Sequence, residues 1–132
     1  MENKYGENEY IFTTTDPIGR EIRLKSSTFY KHITGGDHER TEFIGEEETI
    51  KKVIEDPKYI LPDDPFDSSN TRERYIDLID LRSFNTLKVL VVIVDHGTND
   101  YGDIVTIMAK SRLNQESIKG GAVYVRTNKT RS

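Results

Sequence analysis

Between Thr28 and Ile60 the chain reads TFYKHITGGDHERTEFIGEEETIKKVIEDPKYI, a stretch with two helical signals that the remaining residues must cover. Phe29 and Ile33 lie four apart on one helical face, and His32 falls at the margin of that stripe, three residues from Phe29. Ser26-Ser27-Thr28 offers hydroxyls as an N-cap, and Gly35-Gly36 ends this first helix. In the second, Glu46-Glu47-Glu48 suits a helix N-terminus, and Glu47 and Glu48 stand four residues before Lys51 and Lys52. Ile50, Val53 and Ile54 form its apolar stripe, and Asp56-Pro57 stops it, because proline restricts the residue before it.

The rest reads as strands. Glu9 to Thr14 and Arg20 to Lys25 flank the turn Asp16-Pro17-Ile18-Gly19 as a hairpin. Lys58 to Leu61 is a short extended segment, followed by a loop to Asn70 rich in turn formers. The aspartates of that loop miss the spacing of a calcium loop. Arg72 to Leu81 fits helix or strand by periodicity, and is read as a strand because a meander then follows. Lys88 to Val94 is a continuous β-branched run, as expected of a central strand covered on both faces. Asp95 to Gly102 then makes a hairpin loop, and Asp103 to Lys110 returns with Thr106, Met108 and Lys110 on one face and Val105, Ile107 and Ala109 on the other. A last strand-like piece spans Ala122 to Arg126.

The expectation is an α+β fold: an N-terminal hairpin and two helices packed on an antiparallel β-meander of about four strands. A flexible N-terminus takes residues 1–8, one domain residues 9–126, and a basic tail residues 127–132. A chain of 132 residues buries one core without staples. It has no cysteine, which removes disulfides and thiolate metal sites, and three histidines argue against a metal cage. The longest apolar run, Val89 to Val94, is far too short to span a bilayer, and the N-terminus lacks a signal pattern, so a cytoplasmic protein without membrane contact is expected. Residues 108–132 hold six basic residues against the single acid Glu116, a net +5, so residues 1–107 carry −9 of a total of −4. Such an acidic body argues against broad, sequence-blind nucleic-acid affinity, and any nucleic acid should be held locally.

The order of these motifs resembles the phage-associated branch of the barnase, EndoU, colicin and RelE-like ribonuclease superfamily. The matching positions are Phe29-Tyr30-Lys31-His32-Ile33, Asp37-His38-Glu39, the helix closing at Asp56-Pro57-Lys58-Tyr59-Ile60, Arg74-Tyr75, the run Val89 to Val94, and Ile104-Val105-Thr106. Tyr30 stands where the family often has tryptophan, and Glu39-Arg40 follows His38 where His-Pro-Glu is typical. The resemblance implies a toxin-like or phage-encoded endoribonuclease that acts on RNA, tRNA included, without a metal or cofactor, and that a protein inhibitor could restrain.

That chemistry needs a base for the ribose 2′-hydroxyl, an acid for the leaving oxygen and a cation for the phosphorane. His32 and then His38 are the candidates for the proton roles, with Thr106 and Lys110 completing the catalytic set. Arg72, Arg74, Lys119 and Gly120 are the phosphate-binding candidates, through guanidinium forks and through backbone N–H groups of the Lys119-Gly120-Gly121 turn. His96, in the hairpin loop, reads as an ordinary solvated residue. A second class stays open: a non-catalytic phage or host interaction protein that uses the same scaffold to bind a protein partner or a nucleotide-like ligand.

Overall fold

The computed structural model describes residues 9–35, 41–64, 66–67, 69–80, 87–97, 100–111 and 121–127. Seven strands run in chain order: β1 (Tyr10–Thr15), β2 (Glu21–Lys25), β3 (Tyr59–Pro62), β4 (Arg72–Ile79), β5 (Lys88–Asp95), β6 (Gly102–Lys110) and β7 (Tyr124–Val125). They form one sheet in the order β1-β2-β6-β5-β4-β3-β7. Neighbours are antiparallel except β2 and β6, which pair in parallel through Ile22 with Gly102 and Arg23 with Asp103.

This corrects the expected architecture of two helices on a four-strand meander. The sheet dominates, and the described helical segments are short: a π-helical turn at Thr28–Ile33, a 3-10 turn at Thr41–Phe43 and α1 at Glu47–Glu55. Two pairings account for the difference. The N-terminal hairpin extends the sheet edge-on through β2, and the segment after α1 pairs on both sides, with β4 and with β7. Expected and observed strand limits agree within two residues for most strands, because the alternating and β-branched patterns that mark them are local.

The first helix is a single wide turn. The backbone N–H and the hydroxyl of Thr34 both donate to the carbonyl of Phe29, five residues back, at 2.8 and 2.9 Å. Ser27 has helical dihedrals and makes no capping bond with its side chain, contrary to the expected N-cap. At Gly35 an added Cβ would stand 2.5 Å from the Tyr30 carbonyl oxygen, so the chain leaves the turn there only because it lacks a side chain. The second helix follows its sequence signals, with Ile50, Val53 and Ile54 buried and Asp56 closing it by donating its N–H to Lys52.

The core lies on both faces of β5. Leu90, Val92 and Val94 join the cluster under α1 and the π-helical turn, with Phe29, Ile33, Ile50, Ile54, Ile60 and Ile107. Val89, Val91 and Ile93 join Leu61 and Ile76 on the opposite face. At about 25 cal/mol per Å² of apolar surface removed from water, these two layers are the main favourable contribution to the fold. One register shift matters for face assignments: Ile93 pairs with Thr106 but Val94 pairs with Ile104, so Val105 is the extra residue of a β-bulge. Val105 therefore packs with Met108 on the face away from α1, and not with Ile107 and Ala109 as strict alternation predicts. Among the described residues no helix is long and apolar enough to cross a membrane.

Candidate functional site

Among the described residues, those expected to act together stand apart. His32 is exposed, on the π-helical turn whose Phe29 and Ile33 pack into the helix-side core. Arg74 and Thr106 stand in one row across the sheet with Ile93 between them, which puts both on the opposite face. Lys110, level with Val89, shares that face but lies four residues, about 13 Å, along the strand from Thr106. Arg74 is almost fully buried: its Nη2 donates to the Pro62 carbonyl at 3.0 Å and its Nε stands 3.7 Å from Asp63 Oδ1. It braces β4 against the end of β3. His38, Lys119 and Gly120 lie outside the described residues, as do residues 1–8 and 128–132.

A different constellation forms at the end of the sheet where the β1–β2 turn, the start of β4, the end of β5 and the start of β6 meet. Its foundation is Asp16, whose side chain is fully buried. Asp16 Oδ1 accepts the backbone N–H groups of Ile18 and Arg20 at 3.0 and 2.9 Å, which shapes the turn. Asp16 Oδ2 accepts Arg20 Nε at 2.9 Å and the Tyr75 hydroxyl at 2.6 Å, which ties the turn to β4. Because side chains alternate along a strand, Glu73 and Tyr75 project on the same side of β4. Glu73 Oε1 accepts both Arg20 Nη2 at 2.8 Å and His96 Nε2 at 2.9 Å. The Tyr75 hydroxyl accepts Arg20 Nη2 at 3.1 Å and stands 3.5 Å from His96 Nε2.

The charges of this cluster hold one another. Burial pushes the Glu73 carboxyl up, but the hydrogen bonds from His96 and Arg20 outweigh it and leave Glu73 below the ordinary carboxylate range. Asp16 follows the same balance: burial raises it, and bonds from Tyr75 and from the Arg20 backbone and guanidinium bring it below its usual value. Tyr75 moves far the other way, because burial and its bond to Asp16 both favour the neutral phenol. Arg20 is held above its usual range, burial notwithstanding, by Glu73 and its other anionic neighbours.

Arg20 and His96 form a saddle between two open clefts. The first, of about 270 Å³, includes Arg20, Arg72, Glu73 and His96 in its lining. The second, of about 190 Å³, is lined by Arg20, Glu21, His96, Asp100, Tyr101 and Gly102. His96 keeps 21% of its side chain exposed, and its Nδ1 edge lies against Gly102, where an added Cβ would stand 3.0 Å away. Arg20 Nη1 and Glu73 Oε2 carry no hydrogen bond among the described residues. The centre thus combines a histidine bonded to a carboxylate with a cation that has one edge of its fork unused. Among the described residues no three histidine and carboxylate side chains converge as a metal ion would require.

Among the described residues of the expected set, Arg72 is the one that reaches this centre, lining the first cleft while its Nε pairs with Asp95 Oδ2 at 3.4 Å. The sequence signals single out neither Asp16, Arg20 nor Glu73, and they mark His96 as a solvated loop residue. Part of the signal was present: Glu73 and Tyr75 are two apart in a strand, and Asp16 opens a turn that ends at an arginine. No family model, curated protein or solved structure matches the chain.

Proposed function

We propose that the chain is an endoribonuclease that cleaves RNA by 2′-hydroxyl transesterification without a metal, with Arg20, Glu73 and His96 as the working groups. The observation that carries the reading is the His96–Glu73 pair at 2.9 Å, with both residues in the lining of the first cleft and His96 also in that of the second. Glu73 Oε2 takes the proton of the 2′-hydroxyl as O2′ bonds to phosphorus. His96 Nδ1 gives a proton to O5′ as the P–O5′ bond breaks, leaving a 2′,3′-cyclic phosphate. Glu73 Oε1 keeps the imidazole oriented by holding Nε2–H, and Arg20 Nη1 donates to a phosphorane oxygen. Arg72, at the rim of the first cleft, supplies a second positive charge for the adjoining phosphate.

In-line displacement at phosphorus requires the attacking and leaving oxygens on opposite sides; Glu73 lines the first cleft, and the Nδ1 edge of His96 lies against Gly102, which lines the second. The test is incubation of the purified protein with single-stranded RNA in EDTA, with chemical typing of the new 3′ ends. Cyclic phosphate ends are expected, and His96→Ala and Glu73→Gln should each lower the rate by roughly 10²–10⁴-fold. RNA left intact by the folded wild-type protein would refute the reading. One observation favours the alternative, a binding module for a nucleotide-like ligand: Asp16 and Glu73 already offset the charge of Arg20. Such a module would hold the nucleotide in the same clefts and leave RNA uncut.

A further inference from the structure

Beside the second cleft, Arg23 of β2 is held in a way that a solvated arginine is not. Its guanidinium carbon stands 3.7 Å from the centroid of the Tyr101 ring and 5.0 Å from that of Tyr10. Its Nε donates to Glu21 Oε2 at 2.5 Å and its Nη1 to the Tyr10 hydroxyl at 3.2 Å. The two tyrosines meet edge to face, with their hydroxyl oxygens 3.3 Å apart. A free arginine side chain samples many rotamers and is ordered only at an entropic cost. Here Glu21, Tyr10 and Tyr101 have already ordered it, although 28% of the side chain remains exposed. The result is a pre-ordered, partly exposed guanidinium whose Nη2 carries no hydrogen bond among the described residues. Glu21 and Tyr101 also line the second cleft, so this surface continues the cleft outward.

We infer that the Tyr10–Arg23–Tyr101 stack is a base-binding subsite for single-stranded RNA, which receives the nucleotide on the leaving side of the phosphate held at Arg20. The inference rests on the proposed cleavage site for its direction along the strand, and on the stack itself for its ligand. A guanidinium plane lying on a ring presents a flat cationic face, and nucleobases that are free of a duplex stack on such faces with little sequence preference. Glu21 and Asp100 make the cleft rim acidic, so affinity at this subsite comes from stacking and not from phosphate contacts.

The experiment is fluorescence anisotropy with a labelled 2′-O-methyl RNA tetranucleotide, which has no free 2′-hydroxyl to attack the phosphate. Wild-type protein should bind it. Arg23→Lys, which keeps the charge and loses the plane, and Tyr101→Ala should each weaken binding about fivefold or more, whereas Tyr101→Phe retains it. Matched thermal melts confirm that the variants are folded. Wild-type-like binding by Arg23→Lys, or no binding by the wild-type protein, overturns the subsite. Binding lost in Arg23→Lys, in a protein that releases no cyclic-phosphate ends, upholds the subsite while the cleavage reading falls.

Discussion

Four donors converge on the buried carboxylate of Asp16: two backbone N–H groups of its own turn, the Arg20 guanidinium and the Tyr75 hydroxyl. Replacing it with asparagine turns one acceptor into a donor that faces other donors and leaves Arg20 and Tyr75 short of a partner. Asp16→Asn should therefore cost about 3 kcal/mol, read as a lower urea midpoint with unchanged slope. The same residues set the response to pH. Asp16 and Glu73 have folded values below their ordinary 3.8 and 4.5, so their contribution is complete above that range. It is lost as pH falls through the folded values, where the unfolded chain has already taken up protons. Tyr75 is raised above its ordinary 10.0, so its contribution is complete below pH 10 and is lost as pH climbs toward its folded value. Denaturation midpoints against pH should show both limbs, and Tyr75→Phe should remove this residue's part of the alkaline one. A midpoint that does not fall on the acid side would contradict the network.

At the scale of elements, the start of β6 leaves no room for a side chain at Gly102. A Cβ on Gly102 would stand 2.6 Å from Val94 Cγ1 and 2.8 Å from Ile22 Cδ1, on top of its approach to His96. The parallel pairing of β2 with β6 begins there, at Ile22 opposite Gly102. Gly102→Ala should destabilise the protein by about 1–3 kcal/mol and shift the His96 ring resonances in NMR spectra, because overpacking forces neighbours off their rotamers. Unchanged stability and an unmoved imidazole would show that the packing yields there. Most strands, α1 and its stop at Asp56-Pro57 were legible in the sequence, since alternation, charge placement and proline act over a few residues. The parallel pairing was not, because nothing within the hairpin or within β6 specifies a partner roughly 80 positions away in the chain. Nor was the bulge at Val105, which adds one residue to a strand without interrupting its β-branched pattern.

At the scale of the whole molecule, the sheet order assembles the site. It carries the β1–β2 turn to the ends of β4, β5 and β6, so that residues 16, 20, 73, 75 and 96 meet. Sequence proximity pairs His32 with His38, six positions on, which lies outside the described residues, whereas the His96–Glu73 pair forms through the pairing of β4 with β5. His32 lies on the helix side of the sheet, while Arg74 and Thr106, expected beside it, lie in a row on the other side. His96 read as a solvated loop residue because its carboxylate partner comes from β4, 23 positions earlier in the chain. The measurement that decides between the two histidines is RNA cleavage by His96→Ala and His32→Ala side by side, at equal folded concentration. Assignment of the acid role to His96 predicts that His96→Ala loses at least about 100-fold in rate and that His32→Ala stays within about threefold of the wild-type protein. Activity that survives in His96→Ala and disappears in His32→Ala would contradict it.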